Sequence, residues 1–340
     1  MMKTLGVTAK AKAAAVLMTG LLLAGCGGAE ETTDLTKVRF NMAWLPQGSM
    51  AGVFVAEAKG FYAEEGLTVE AVRGFGGIRT VNELDQGMFE FGYGDPMAVA
   101  LNRANGGQTR MVGAINGRWP AGACFVQERH SVAAPADMKG LVFGGGQASP
   151  VQALLPAWLA RNGMEAGDVT IMQLDPAVVV ASLIEDKIDL GECWLGNSIA
   201  LFQKRAGEAG LTIGWLPYAN FGLDIYGSGI VTSDRLIADK PDVVRGFLRA
   251  TYRGYAYAFN HPDEAVTIMK EAHSLLDAAV TRQQIVETGE LFATEGGPGH
   301  IDADRIQGTL DILTEVGSLS APIAAGDIYS TVFLPADTAE

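Results

Sequence analysis

From Lys37 onward the chain alternates short β-rich runs with helical stretches across connections of a few residues, and this alternation restricts it to an α/β architecture. Residues 38–42 interleave polar and apolar side chains as a strand. Residues 50–59 then place Phe54, Val55 and Ala58 at helical spacing, and Gly60 stops that helix. Residues 67–72 read as the next strand, 79–86 as a helix and 89–93 as a strand, and Pro96 opens a helix through Ala104. The order resumes with a strand at 141–143, a helix through Leu159, strands at 169–174 and 188–194, and helices at 177–185 and 199–209. Parallel strands need crossovers, which helices supply, so each block is expected to form a parallel sheet covered by helices.

Two stretches, 110–126 and 226–233, are suited to carry the chain between the blocks. About 300 residues also exceed what one core comfortably holds. The expected organisation is therefore two doubly wound α/β lobes joined by crossing strands. Residues 37–120 and 229–340 form a discontinuous first lobe, and 121–228 the second. The tail continues as helix, with 241–259 opened by Pro241 and stopped by Asn260, His261 and Pro262. No internal repeat stands out.

The N-terminus places Lys3, Lys10 and Lys12 before the apolar run 13–23 and closes on Leu23, Ala24, Gly25 and Cys26, the order of a secretory signal. Residues 26–36 are small and acidic and read as a flexible tether. Loss of 1–25 removes three lysines and no acid, moving formal charge from −14 to −17, which argues against nucleic acid or anionic lipid as partner. Cys124 and Cys193 both lie in apolar, strand-like contexts and are expected to be separate buried thiols, although an oxidising compartment would permit pairing.

The run Trp44-Leu45-Pro46-Gln47, followed by residues 50–67 (MAGVFVAEAKGFYAEEGL), resembles the opening of the solute-binding proteins for thiamine pyrimidines, sulfonates, taurine and nitrate. Gly92-Tyr93-Gly94-Asp95, residues 183–189 and 228–233, and Lys240-Pro241-Asp242 extend the likeness over 38–260. The resemblance implies a type II periplasmic binding protein fold closing as a hinge on a small molecule. It further implies partnership with an ABC permease and its ATPase and a monomer outside the cytoplasmic membrane; separately, Leu23-Ala24-Gly25-Cys26 resembles a bacterial lipobox, which implies lipidation of Cys26. Read physically, Gly60, Phe61 and Tyr62 belong to a structural junction, so the opening motif identifies a family and not a ligand.

In open α/β lobes a ligand lies outside the carboxyl ends of the strands. The loops there are 44–49, 74–77, 94–95, 144–149, 175–176 and 194–198, and they supply Gln47, Gly76, Gly77, Gly145, Gln147 and Asn197 as candidates. Glycines before a helix can leave N–H groups for an anion or carbonyl, or can simply form turns. Trp44, Trp119, Trp194, Tyr93 and Tyr226 occupy loop or crossing positions, whereas Trp158 and Trp215 read as packing. Asp95 reads equally as a helix N-cap or a ligand group. Glu192 precedes Trp194 by two residues, hence on one strand face, and Asp224 precedes Tyr226 likewise. A carboxylate beside an aromatic plate suits a flat nitrogen heterocycle with N–H donors, such as a thiamine-pyrimidine precursor; the family resemblance implies flavins and aromatic acids as alternatives. A sulfonate or nitrate would want Arg118, Arg73 or Arg79 instead.

The resemblance also reaches a pyrimidine-synthesising enzyme that uses pyridoxal phosphate. No cysteine-rich cluster, HExxH or GxSxG occurs, and His130, His261, His273 and His300 lie away from strand ends, so no catalysis, cofactor or metal is expected.

Overall fold

The computed structural model describes residues 34–146, 149–292, 296–319 and 321–335. The expected signal segment, Cys26 and nearly all of the expected tether lie outside these residues, as does Gln147. The first sheet has the order β2-β1-β3-β10-β4, made of β1 (Thr36–Asn41), β2 (Leu67–Val72), β3 (Phe91–Gly94), β4 (Thr109–Ala114) and β10 (Gly229–Ser233). The second has the order β7-β6-β8-β5-β9, made of β5 (Ala121–Val126), β6 (Val142–Gly146), β7 (Thr170–Leu174), β8 (Leu190–Trp194) and β9 (Ile213–Pro217). The two orders match: three parallel strands, then an inserted antiparallel strand, then an edge strand.

Both sheets are consequently mixed, which corrects the expectation of purely parallel ones. The inserted strands are the crossings themselves: β5 enters between β8 and β9, and β10 returns between β3 and β4, each antiparallel to both neighbours. The expected crossing region 110–126 resolves into β4 and β5 with a six-residue link, 115–120. That link is bonded to the second crossing, because Ile115 N and Asn116 N donate to Ser228 O at 3.0 and 2.8 Å and Gly227 N donates to Asn116 O at 3.0 Å. A side chain on Gly227 would stand 2.8 Å from Asn116 Cβ and 2.9 Å from Pro120 Cδ, so only glycine permits the approach.

The helices of the first block are α1 (Ala51–Ala58), α2 (Phe61–Glu64), α3 (Gly77–Asp85) and α4 (Pro96–Ala104). Those of the second are α5 (Pro150–Arg161), α6 (Val179–Ile184) and α7 (Ile199–Glu208). The tail is α8 (Asp234–Asp239), α9 (Pro241–Asn260), α10 (Pro262–Ala272), α11 (Ala278–Phe292), α12 (Ala303–Glu315) and α13 (Ala325–Ile328). Helix α9 packs on the first sheet through Phe247, whose ring stacks on Phe91 at 3.9 Å and on Tyr62 at 5.4 Å. The junction at Gly60 is structural: Gly60 takes φ 75°, Phe61 and Tyr62 are buried, and the Tyr62 hydroxyl bonds Thr251 Oγ1 at 2.7 Å. No helix among the described residues is long and apolar enough to cross a membrane.

Cys124 and Cys193 form a disulfide, which corrects the expected separate thiols. They lie on neighbouring antiparallel strands, each opposite a glycine, Cys124 to Gly191 and Cys193 to Gly122. This diagonal offset sets their Cα atoms 5.8 Å apart, inside the range a disulfide spans. The apolar context reflects burial, and burial does not prevent pairing.

Candidate functional site

In the first lobe the loop after β1 is bonded to the loop after β2. Gly74 N donates to Trp44 O at 3.2 Å and Gly76 N to Ala43 O at 2.6 Å, so the Gly76 N–H is committed within the chain. Ala43 holds φ 59°, a left-handed conformation unusual for alanine, and its N–H donates to Asn41 Oδ1 at 2.9 Å. This bend leaves Trp44 42% exposed. Gln47 donates to Ser49 Oγ at 3.0 Å. Asp95 caps α4, accepting from Ala98 N at 2.8 Å, while its second oxygen faces Gly77 at the start of α3; burial raises its pKa. The Tyr93 hydroxyl is buried, donating to Ser49 O at 3.1 Å and lying 3.2 Å from the Tyr255 hydroxyl.

The second lobe holds a denser cluster. Residues 144–146, expected as loop, are the end of β6, so their backbone is engaged in the sheet and Gly146 N donates to Glu192 Oε2 at 3.0 Å. Glu192 Oε1 accepts from Ser149 Oγ at 2.5 Å and from the Trp194 indole N–H at 2.8 Å. The pairing of Glu192 with Trp194 on one strand face is as the two-residue spacing predicts. Burial is the main cause raising the Glu192 pKa, and these three donors oppose it. Gly145 stands beside the carboxylate, and a Cβ there would meet Glu192 Oε2 at 2.6 Å. Trp119, at the start of the crossing, is 3% exposed and meets Trp194 edge to face at 6.0 Å.

Asp224 and Tyr226 do not form a second such pair. They lie in irregular backbone after β9, and α12 engages both: Arg305 donates to Asp224 Oδ1 at 2.9 Å and its guanidinium covers the Tyr226 ring at 4.3 Å. Arg118 joins the same group, at 3.8 Å from Asp224 and 2.9 Å from Asn220 Oδ1.

Sequence reasoning did not find the part of α11 that touches both lobes. Gln284 Oε1 accepts from Gly48 N at 2.9 Å and its Nε2 donates to Asn197 O at 2.7 Å, linking the loop after β1 to the loop after β8. Glu287 Oε2 accepts from Gly196 N at 2.8 Å, and Leu291 O accepts from Gly117 N at 2.8 Å. Gln284, Glu287, Thr288 and Leu291 share one helix face at spacings of three and four, and polar residues on a buried face were the available signal. Ser149 and Ser198, which join the second-lobe cluster, fall in strand-end loops that the sequence marks, whereas Gln152 and Tyr218 join it without a signal in the sequence.

Burial holds the Glu287 carboxyl above its ordinary range, against the opposing bonds from Gly196 and Gln283. An acid whose pKa is raised on folding favours the folded state below its unfolded pKa, and that contribution is lost as pH rises through the folded value. Glu287→Gln should therefore be more stable than the parent at neutral pH, with the gap closing below about pH 4. Thermal melts across that range check this; a gap independent of pH would assign the effect to packing.

Among the described residues no group of three or more His, Cys, Asp or Glu could hold a metal ion. A cavity of roughly 220 Å³ bounded by Thr36, Phe89, Arg235 and Val243 lies at the amino-terminal edge of the first sheet and shares no residue with the strand-end clusters.

Two lobes of this topology, with crossings between the sheets and polar groups gathered at strand carboxyl ends, define the periplasmic binding protein fold. The periplasmic aliphatic sulphonate binding protein SsuA from Escherichia coli is similar over 88% of this chain and 99% of its own, with TM-score 0.69 and 15% identity. The NMT1/THI5-like family model matches residues 47–265, and the chain belongs to that family. It is similar to the riboflavin-binding protein RibY of Chloroflexus aurantiacus, 28% identical over 88% of this chain and 87% of the relative. It is also similar to the formylaminopyrimidine-binding protein of Halalkalibacterium halodurans, 22% identical over 94% and 98%.

Proposed function

We propose that the protein is the solute-binding component of an ABC-type importer and captures a flat nitrogen heterocycle between its lobes, without chemically changing it. The observation that carries this reading is the part-buried Glu192 carboxylate hydrogen-bonded to the Trp194 indole, with Trp119 against it. An aromatic plate beside an anionic acceptor binds a ring by its face and its N–H groups together, and it repels a sulfonate or nitrate. The two named relatives, which bind a flavin and a pyrimidine, support the same class.

The lobes would be 37–120 with 229–340, and 121–228, hinged at the bonded crossings. Trp44, Gln47, Gly76, Gly77 and Asp95 would offer the first lobe's wall of the cleft. Gly145, Gln147, Glu192, Trp194 and Asn197 would offer the second's, with Trp119 at the base. The remaining parts of the reading are an N-terminal signal, lipidation of Cys26, a position at the outer face of the membrane, and a monomer docking on a permease.

A thermal-shift screen against flavins, pyrimidines, alkanesulfonates, nitrate and aromatic carboxylates tests the ligand class. A heterocycle at a hundred times its Kd should stabilise by about 2.7 kcal/mol, several degrees in the unfolding midpoint. Stabilisation by sulfonate or nitrate alone would overturn the reading, and turnover of any compound would overturn its binding-only character.

A further inference from the structure

Beside Glu192, two side chains lack any hydrogen-bond partner among the described residues: the Tyr218 hydroxyl, and the Gln152 amide at both its nitrogen and its oxygen. Tyr218 is 2% exposed. An unpaired buried polar group costs about 1–3 kcal/mol, and folded proteins pair more than nine in ten of them. Asn116 Oδ1, Trp158 Nε1, Trp215 Nε1 and Arg305 Nε are unpaired as well, but Gln152 is the side chain whose donor and acceptor are both unpaired, and it lies against Glu192. Tyr218 and Gln152 keep their polar atoms buried and unpaired on the two flanks of Glu192.

The sheet fixes their order. Ala123 on β5 pairs with Glu192 on one side and with Leu216 of β9 on the other, so these three share a face; Tyr218, which opens the 3-10 helix directly after β9, packs in the same core cluster as Ala123 and Leu216. Ala121 and Ala123 carry only methyl groups, so no bulky β5 side chain separates Glu192 from Tyr218. On the opposite flank, the point where a Gly145 Cβ would stand is 2.6 Å from Glu192 Oε2 and 2.9 Å from Gln152 Nε2, which brings amide and carboxylate together. The Trp158 ring, 4.5 Å from that of Tyr218, orients the phenol. Burial and the Glu192 charge both keep the hydroxyl protonated.

A carboxylate offers about four acceptor positions. Ser149, Trp194 and Gly146 occupy three on Glu192. One remains. Across the sheet, from β6 past β8 toward β9, the groups thus run donor, acceptor, donor: Gln152 Nε2, Glu192 and Tyr218 Oη.

Resting on the heterocycle reading above, we propose that these three groups recognise an imide edge, carbonyl, N–H, carbonyl, such as a uracil or isoalloxazine ring presents. Glu192 accepts from the ring N–H, while Gln152 and Tyr218 donate to the flanking carbonyl oxygens. An amidine edge, a ring nitrogen beside an amino group, leaves one of the two donors unpaired. A site that hydrogen-bonds a polar edge rejects analogues lacking it far more strongly than an apolar pocket rejects a lost methylene.

Calorimetric titration with riboflavin as the imide probe, with its N3-methyl derivative and with a 4-aminopyrimidine, against the parent, Tyr218→Phe and Gln152→Leu, tests the assignment. N3-methylation should weaken binding to the parent at least a hundredfold. Tyr218→Phe and Gln152→Leu should each weaken riboflavin about tenfold, and the ligand-free Tyr218→Phe protein should melt at the same temperature or higher, because an unpaired hydroxyl has gone. Equal binding of riboflavin and its N3-methyl derivative, or unchanged riboflavin affinity in both variants, overturns the imide assignment and leaves the heterocycle reading standing. The imide assignment also falls if Tyr218→Phe is destabilised with affinity unchanged, which would mean that the hydroxyl holds a structural water. Tighter binding of the aminopyrimidine, untouched by either variant, likewise overturns the imide edge alone. Binding of none of the three overturns both readings.

Discussion

Replacing Cys124 and Cys193 together by alanine should lower the unfolding midpoint by roughly 10 °C, the largest stability change expected of any surface-preserving pair in the second lobe. The bond closes a loop with a sequence separation of 69, and a closure of that length restricts the unfolded chain by about 4 kcal/mol. Everything that builds the Gln152 and Gly145 side of the site, from β6 through α6, lies inside that loop. Differential scanning calorimetry of parent and double variant, and of the parent with reductant, measures the effect. A shift of less than about 2 °C would show that the strand pairing alone holds β5 to β8. The disulfide also supports the proposed location, since such bonds persist in oxidising compartments.

That disulfide marks a boundary of what local sequence reveals. The context of each cysteine reports burial, but pairing depends on β5 lying antiparallel beside β8, a contact between residues far apart in the chain. The elements themselves were legible because their signals are local: the strand at 67–72 and the helix Pro96–Ala104 stand where the pattern places them. The insertion of β5 and β10 was not, because strand order is a property of the assembled sheet. Residues 144–146 show the same limit. A run of three glycines reads as a turn, yet here glycine extends β6, where Ile188 and Glu192 leave no room for a side chain.

For the candidate site, spacing of two located Glu192 and Trp194 on one face because they lie in a strand. The same spacing misled at Asp224 and Tyr226, which have no strand to align them and are engaged by Arg305. Gln284 and Glu287 were missed for a different reason: polar residues recur on one face of α11, but they lie in the C-terminal helical tail, remote in sequence from the strand-end loops that they hold.

Glu192→Ala should weaken heterocycle binding at least a hundredfold, the largest effect expected on affinity. The substitution removes the acceptor for the ring N–H, and it leaves the Trp194 indole N–H, the Ser149 hydroxyl and the Gly146 N–H without their shared partner, so the aromatic plate and the start of α5 lose their anchor together. Glu192→Gln separates charge from shape. Burial raises the Glu192 pKa, so acidification protonates this carboxylate sooner than an exposed one, and the charged acceptor is lost as pH falls through the raised value. Affinity of the parent should therefore decline between pH 7.5 and about pH 5, whereas Glu192→Gln should bind more weakly at pH 7.5 and show little further decline. Titration calorimetry at both pH values distinguishes this from a general acid loss of structure, which would lower affinity in parent and variant alike. If Glu192→Ala kept its affinity within threefold, the carboxylate would be a strut for Trp194 and α5, and the recognition of the ring would have to be sought at Trp44 and Asp95 across the cleft.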